Sequence, residues 1–529
     1  MTATARPNSY DEVPYPSGPI SATHPDRLAT VATLFGMQPP ALEHCRVLEL
    51  GCADAGNLLA LAEGLPDSDF VGIDLSARHI AAGQEAVAEL GLRNVTLRQM
   101  SILDVGPALG LFDYIICHGV YSWVPPQVQE KILAICRNQL TPHGVAYVSY
   151  NTYPGWHMRG MVREMMRYHT RKDSDPPICT ARARDLLAFL IESVPESQAT
   201  YGRLLQEELE RIKPCKDSYV FHEHLEEVNE PVYFHTFAER AARQGLQYLA
   251  EVDIRSMLSQ RFGPEVSHVL DRLGDDVIER EQYLDFLTNR MFRQTLLCHQ
   301  EVPLRRQLRP EQVTAFQLAS RAQCVSPRPD LQSDKVEEFR GPSGVIASTG
   351  HAISKMAFVH LAQIWPASIA FDTLQTTARA RLVGAATVVQ DAAAYNRDSF
   401  LLAQNLLQAY TAGVVELHVH SPRLATEPGE RPRSGVLARR QARDGDKVTN
   451  LRQELVQLDP LSLHLLRGLD GTRDRPALVD YLIQQVLQQR LPLERHGRLV
   501  RDHDQLRAIL THELDTNLRR LARSALLVA

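Results

Sequence analysis

The chain of 529 residues has no run of about 18 apolar residues, the length a helix needs to cross a bilayer, so membrane insertion is not expected. Its first residues, MTATARPNSYDEVPYPSGPI, lack an apolar core after a basic start and do not read as an export signal. The eight cysteines include no C-x-x-C pair, and several lie in apolar runs. Reduced, buried thiols in a cytoplasmic protein are the expectation. A basic excess is missing as well: 57 Lys and Arg stand against 63 Asp and Glu, a net charge of −6, which leaves no electrostatic footprint for a nucleic-acid partner. No third ligand stands near His222-x-His224 or His418-x-His420, so no metal centre is expected. With 44% hydrophobic and 23% charged residues the composition is that of a globular protein, and the length asks for about two to four domains.

The informative stretch is Arg46 to Asp74, RVLELGCADAGNLLALAEGLPDSDFVGID. Val47 to Leu50 reads as a buried strand, Gly51 to Gly56 as a turn, the next residues as a helix, and Phe70 to Ile73 as a second strand closed by Asp74. This is half of a nucleotide-binding βαβ unit. The turn is G-x-x-x-x-G, without the spacing of the dinucleotide fingerprint or the Lys and Ser/Thr of a phosphate loop. Glu49, an acid just before the turn, suits a ligand that carries a cation there. S-adenosylmethionine (SAM), with its ammonium and sulfonium, is such a ligand. Asp74 can accept both ribose hydroxyls, and Asp104 lies where an adenine amino group would be. Read alone, Asp74 serves equally well as a helix cap.

In chain order, residues 1–22 read as an extended arm, followed by a helix from Pro25 with Thr23 or Asp26 as its cap. Ser76 caps a helix that stops at Gly91. A third strand runs from Asn94 toward Asp104, a fourth starts at Phe112, a helix spans Pro126 to Asn138, and the turn Thr141-PHG leads to a fifth strand ending at Asn151. Alternating strands and helices predict a doubly wound, mostly parallel α/β sheet over residues 23–170, with its ligand at the carboxyl ends of the strands. Residues 171–300 read as a mainly helical middle domain, in which HEHLEEVNEPVYF is expected to form a capped helix-turn-helix; the alternative is that its polar His222, Glu223 and Asn229 reach the active site. Val325 to Gly344 reads as a linker or hairpin. Residues 301–529 read as a mixed α/β, winged-helix-like region with a mobile loop at 421–447 and a helical remainder.

VLELGC with Gly56 and Asn57, VGIDLS, Ser101 to Asp104 and FDYIICHGVYSWV resemble the successive motifs of class I SAM-dependent methyltransferases. NSYDEVPY, HGVYSWVP, SYNTYPGW, HEHLEEVNEPVYF and LTNRMFRQTLLC resemble, more narrowly, bacterial methyltransferases that carry a methyltransferase regulatory domain, a group that includes rickettsial-type protein-lysine methyltransferases. The likeness covers roughly residues 8 to 300 well and the rest loosely. It implies SAM as cofactor, with Glu49, Gly51, Cys52, Ala53, Gly56 and Asn57 around the methionine part, Asp74, Leu75 and Ser76 at the ribose, and Ser101, Ile102 and Asp104 at the adenine. His118 and Gly119 would face the methyl group, and Tyr10, with Tyr15, would close over the cofactor from the arm. Tyr121, Trp123, Tyr153 and Trp156 would form aromatic walls for the acceptor, and His118 would take its proton. Asp54-Ala55 stands where relatives carry small residues and a second glycine.

The expected reaction is SN2 transfer of a methyl group to a protein side chain, lysine first, on a protein partner such as a cell-surface protein; the reading allows a homodimer. No Asn/Asp-Pro-Pro-Tyr/Phe and no Pro-Cys follows the fourth strand, which argues against methylation of DNA bases. A small-metabolite methyltransferase and a non-catalytic SAM-sensing scaffold stand as alternatives.

Overall fold

The computed structural model of the protein describes residues 9–15, 17–274, 276–383, 392–495 and 498–529. Of the expected arm, residues 1–8 and 16 lie outside the described residues. Five parallel strands follow the order read from the sequence: β1 (Arg46–Leu50), β2 (Asp69–Asp74), β3 (Val95–Gln99), β4 (Phe112–Cys117) and β5 (Leu140–Asn151). Two more, β6 (Leu246–Glu251) and β7 (Phe292–His299), complete one seven-stranded sheet in the order β3-β2-β1-β4-β5-β7-β6. β7 runs antiparallel to both of its neighbours. The strand order reverses between β1 and β4, so a ligand crevice opens above the carboxyl ends of those two strands. The apolar runs of β1 and β4 are explained by their central positions, covered by helices on both faces.

The helices that frame this crevice are α1 (Ser9–Glu12), α2 (Pro25–Leu34), α3 (Gly56–Gly64), α4 (Ala77–Leu90) and α5 (Pro126–Asn138). Ser76 accepts the His79 amide at 3.1 Å to start α4, and Gly91, with φ +68°, ends it. The cap of α2 is His24, whose ring accepts the Asp26 amide at 3.0 Å, rather than Thr23 or Asp26. A helical insertion of α6 (Trp156–Thr170), α7 (Pro176–Ser193) and α8 (Ala199–Ile212) separates β5 from β6 and has its own small core around Val162, Leu187 and Leu205.

Several expectations are refined or corrected. The region 171–300 is mainly helical, as expected, but it also holds β6 and β7, which extend the sheet. Short apolar runs such as these carry no periodicity that separates a buried strand from a helix. HEHLEEVNEPVYF is a π-turn (Phe221–Leu225) followed by an extended segment that reaches the end of β5, where the Val232 amide donates to Asn151 O at 3.1 Å. Thr141 to Gly144 is part of β5, with an irregular register against β4. Residues 325–344 lead into a hairpin of Glu337–Arg340 and Ile346–Thr349. The loop 421–447, expected to be mobile, contains the helix Val436–Asp444, whose first amides are capped by Glu63 of α3. The C-terminal part is not helical throughout: the hairpin Lys447–Thr449 with Leu455–Gln457 precedes the helices Pro460–Gly468, Arg475–Leu487 and His503–Arg523, which share a leucine-rich core. Among the described residues no helix is long and apolar enough to cross a membrane.

Candidate active site

The turn after β1 adopts a left-handed backbone at three alternate positions, Gly51 (φ +74°), Ala53 (φ +47°) and Ala55 (φ +65°). Two alanines in this region are strained, as at many ligand sites. The turn is locked from β2: Asp74 accepts the Ala53 amide and the Ser76 amide, each at 2.9 Å, one through each carboxylate oxygen. A Cβ at Gly51 would meet Val120 at 2.5 Å, so only glycine lets the loop after β4 come this close.

Glu49 is buried at 4% exposure, and one of its oxygens accepts Asn57 Nδ2 at 2.9 Å. Its other oxygen has no hydrogen-bond partner among the described residues. Burial pushes the Glu49 carboxyl up to about 8 despite the Asn57 hydrogen bond. Asn57 is itself buried, donates to Thr23 and accepts the Ile20 amide at 3.0 Å. Gln453, far away in the sequence, donates to the same Asn57 oxygen at 2.6 Å. Asp54 engages the arm, where Ser17 donates to it and also accepts the Gly56 amide at 2.7 Å.

At the ribose position Leu75 is exposed at 60%, and Ser76 donates to Asp11 of α1 at 2.5 Å. Ser101 starts a short turn, Ile102–Asp104, and Asp104 is exposed at the rim. At the end of β4, Gly119 (φ +66°) donates to Ser149 at 2.8 Å and faces open space. His118 packs beside it, with Nδ1 2.8 Å from the Tyr147 hydroxyl. Burial takes the His118 ring down to about 4, so it is a poor proton acceptor at neutral pH, contrary to the role expected of it.

The aromatic residues divide. Tyr121 is fully buried between Tyr150 and Phe237, and its place in the core corrects its expected part in a substrate wall. Trp156 is 2% exposed and packs edge-on against Trp123, so it backs the wall rather than forming its surface. Trp123 and Tyr153 remain partly open at the ends of β4 and β5, with Tyr153 stacked on His157 at 4.0 Å. Asn151 donates to Asn229 at 3.1 Å, and the Glu230 amide donates to Ser122 O at 2.7 Å, which brings the segment 222–230 to the acceptor side of the crevice. Asn229 lies in the segment that the sequence offered as able to reach the site, whereas Ser17 and Gln453 were not legible, because each is a lone polar residue delivered by a remote segment. Each histidine of the two pairs faces an acid: His222 Glu226, His224 Glu208, His418 Asp26 and His420 Glu43.

Three family models match the chain: "Methyltransferase domain" at residues 47–144, "Predicted methyltransferase regulatory domain" at 216–299, and "PKMT, C-terminal winged helix domain" at 430–526. Uncharacterized protein RP789 of Rickettsia prowazekii is 33% identical over 528 residues, covering 98% of this chain and 94% of the relative. A second protein of that organism, RP028, is 43% identical over 241 residues, 46% of this chain and 96% of its own. The structure of PKMT2 from Rickettsia typhi in complex with AdoHcy superimposes with a TM-score of 0.86 at 32% identity, covering 98% of this chain and 100% of that one. The chain belongs to this family of three-part methyltransferases. It is a class I SAM-dependent methyltransferase, and its C-terminal unit is a winged-helix domain. The site fits SAM on the evidence of its own side chains: the unpartnered buried oxygen of Glu49 is what a ligand ammonium would complete.

Proposed function

We propose that this methyltransferase modifies protein side chains, lysine first, with a cell-surface protein as the kind of acceptor. The observation that carries the reading is the correspondence over the whole chain, winged-helix unit included, with PKMT2, whose abbreviation we read as protein-lysine methyltransferase. SAM supplies a methyl group already activated on sulfonium, so the chain's own task is to bind, align and exclude water. In this reading Glu49 holds the ammonium, Asp74 with Leu75 and Ser76 the ribose, and Ser101, Ile102 and Asp104 the adenine. Gly51, Cys52, Ala53, Gly56 and Asn57 shape the methionine end, and Gly119, which faces open space, gives the acceptor room. Trp123 and Tyr153 flank an aliphatic stem and accommodate a methylated cation. A lysine must arrive neutral, and with the His118 ring held near 4 its proton goes to water.

Incubation of the enzyme with methyl-labelled SAM and a cell-envelope protein extract should place label on lysines of discrete protein bands, located by mass spectrometry. Label confined to small molecules would instead select a metabolite methyltransferase.

A further inference from the structure

We propose that His222 is a positioning residue that seats the N-terminal segment 9–15 over the SAM site, so that the regulatory domain controls how firmly the cofactor is held. His222 sits in the π-turn Phe221–Leu225 at the start of the domain that the family model calls regulatory. The residue is buried, at 4% exposure. Nε2 donates to the Val13 carbonyl at 2.6 Å, and Nδ1 lies 3.0 Å from the Glu226 carboxylate. Tyr10 stacks on one face with centroids 4.3 Å apart and planes within 8°, and Tyr15 meets the ring edge-on at 5.7 Å. Ser9 donates to the same Glu226 oxygen at 2.9 Å.

The other side of the segment rests on the cofactor half of the crevice. Ser76 donates to Asp11, and Arg78 donates to the Asp11 carbonyl at 2.9 Å. Farther along, Ser17 accepts the Gly56 amide, and a Cβ on Gly56 would run into Ser17, so the chain passes directly over the turn. The segment thus bridges Glu226, through Ser9, and Ser76, through Asp11, across the mouth of the site. The Tyr10 phenol between them is raised by burial and then by the Glu226 and Asp74 carboxylates. Residues 9–15 are held from both sides, by the buried Ser76 and the exposed Arg78 on the cofactor side and by the buried His222 on the regulatory side. Loss of the His222 ring would remove the hydrogen bond to Val13 and the stack with Tyr10 and leave only the cofactor side to hold the seated state. The same stretch of the regulatory domain touches the acceptor side through Asn229 and Glu230, so seating of the arm and shaping of the acceptor side share one support.

The test reads AdoHcy binding by titration calorimetry and cleavage after Glu12 by a glutamate-specific protease. In the wild type AdoHcy should protect Glu12. His222→Ala should raise the AdoHcy Kd about tenfold or more, because only the seated fraction binds tightly, and should abolish protection. His222→Gln, which keeps a donor for Val13, should recover part of both. Tyr10→Ala alters only the arm and should give the same loss, and the double variant should lose no more than either single one. Unchanged affinity in His222→Ala or in Tyr10→Ala, or losses that multiply in the double variant, would overturn the proposal. Should His222→Ala not fold, His222→Gln takes its place: it should raise the AdoHcy Kd by less than Tyr10→Ala does, and an unchanged Kd would overturn the proposal. The readout is cofactor binding, so it succeeds or fails independently of whether lysine is the acceptor.

Discussion

Glu49 shows how one side chain reports its ligand. It is buried at the end of β1 with an oxygen left over, and burial holds its carboxyl near 8, so at neutral pH without a ligand it is mostly protonated. A ligand ammonium favours the carboxylate, and binding therefore expels a proton. AdoHcy affinity should tighten as pH rises from 6 to 8, approaching about tenfold per unit. Calorimetry in buffers of different ionisation enthalpy should register the proton, and Glu49→Gln should flatten the dependence; a flat wild-type profile would contradict the assignment. Trp123 makes the complementary case on the acceptor side. Trp123→Ala should lower kcat by about tenfold or more while AdoHcy affinity stays within about twofold. The reverse pattern would make Trp123 a packing residue like Tyr121.

Among the elements, β7 depends on a buried cluster of charges. Its Arg293 is fully buried, with Glu251 at 2.7 Å, Asp285 at 2.8 Å, Glu281 at 3.1 Å and the Phe234 ring beneath it at 3.8 Å. Arg290 adds a second cation at 3.0 Å from Asp285. Three carboxylates against two guanidinium groups leave an excess of negative charge, and burial pushes Glu281 up to about 7. Arg293→Ala would strand these acids without their partner, and should cost roughly 3–5 kcal/mol in urea unfolding. The cluster joins β6, β7 and the helix Val277–Thr288, so its loss should also loosen the sheet edge beside β5. Nothing in LTNRMFRQTLLC announced this. An arginine in an apolar run reads as an exposed interruption until three acids from other segments arrive around it. The turn at Gly51 to Gly56 and the cap at Ser76 were legible, because their physics is local to a few consecutive residues.

At the scale of the whole molecule, the C-terminal domains are clamped onto the catalytic sheet. His418 lies between Asp26 of α2 at 2.6 Å and Glu416 at 3.3 Å, and Asp26 also accepts the Val419 and His420 amides at 2.8 Å each. Against the opposing effect of burial, the two carboxylates raise the His418 ring to about 9. A pKa raised on folding stabilises below the unfolded value and is lost as pH climbs through the folded one. The clamp should thus be fully present below about pH 6.5 and fade through pH 9. The difference in melting temperature between wild type and His418→Gln should shrink over that window. A difference that grows with pH would show that His418 is not held as the cation. Arg440 and Arg443 reach Glu89 of α4 at 2.6 and 2.9 Å, and Gln453 ends on Asn57 in the cofactor turn, so the winged-helix unit borders the site itself.

The sequence alone determined the doubly wound sheet, the ligand site at the carboxyl ends of its strands, and SAM as the ligand, because strand periodicity, a glycine turn and an acid at a strand end act over a few neighbouring residues. Only the tertiary structure decided that β6 and β7 return after a long insertion to finish the sheet, that Tyr121 packs while Trp123 stays open, that His222 meets the N-terminal segment, and that Ser17 and Gln453 converge on the cofactor turn. Those outcomes depend on contacts between segments up to 396 positions apart, as for Gln453 and Asn57. Such contacts are chosen by burial and complementary charge once the chain has folded, and they leave no periodic mark along it.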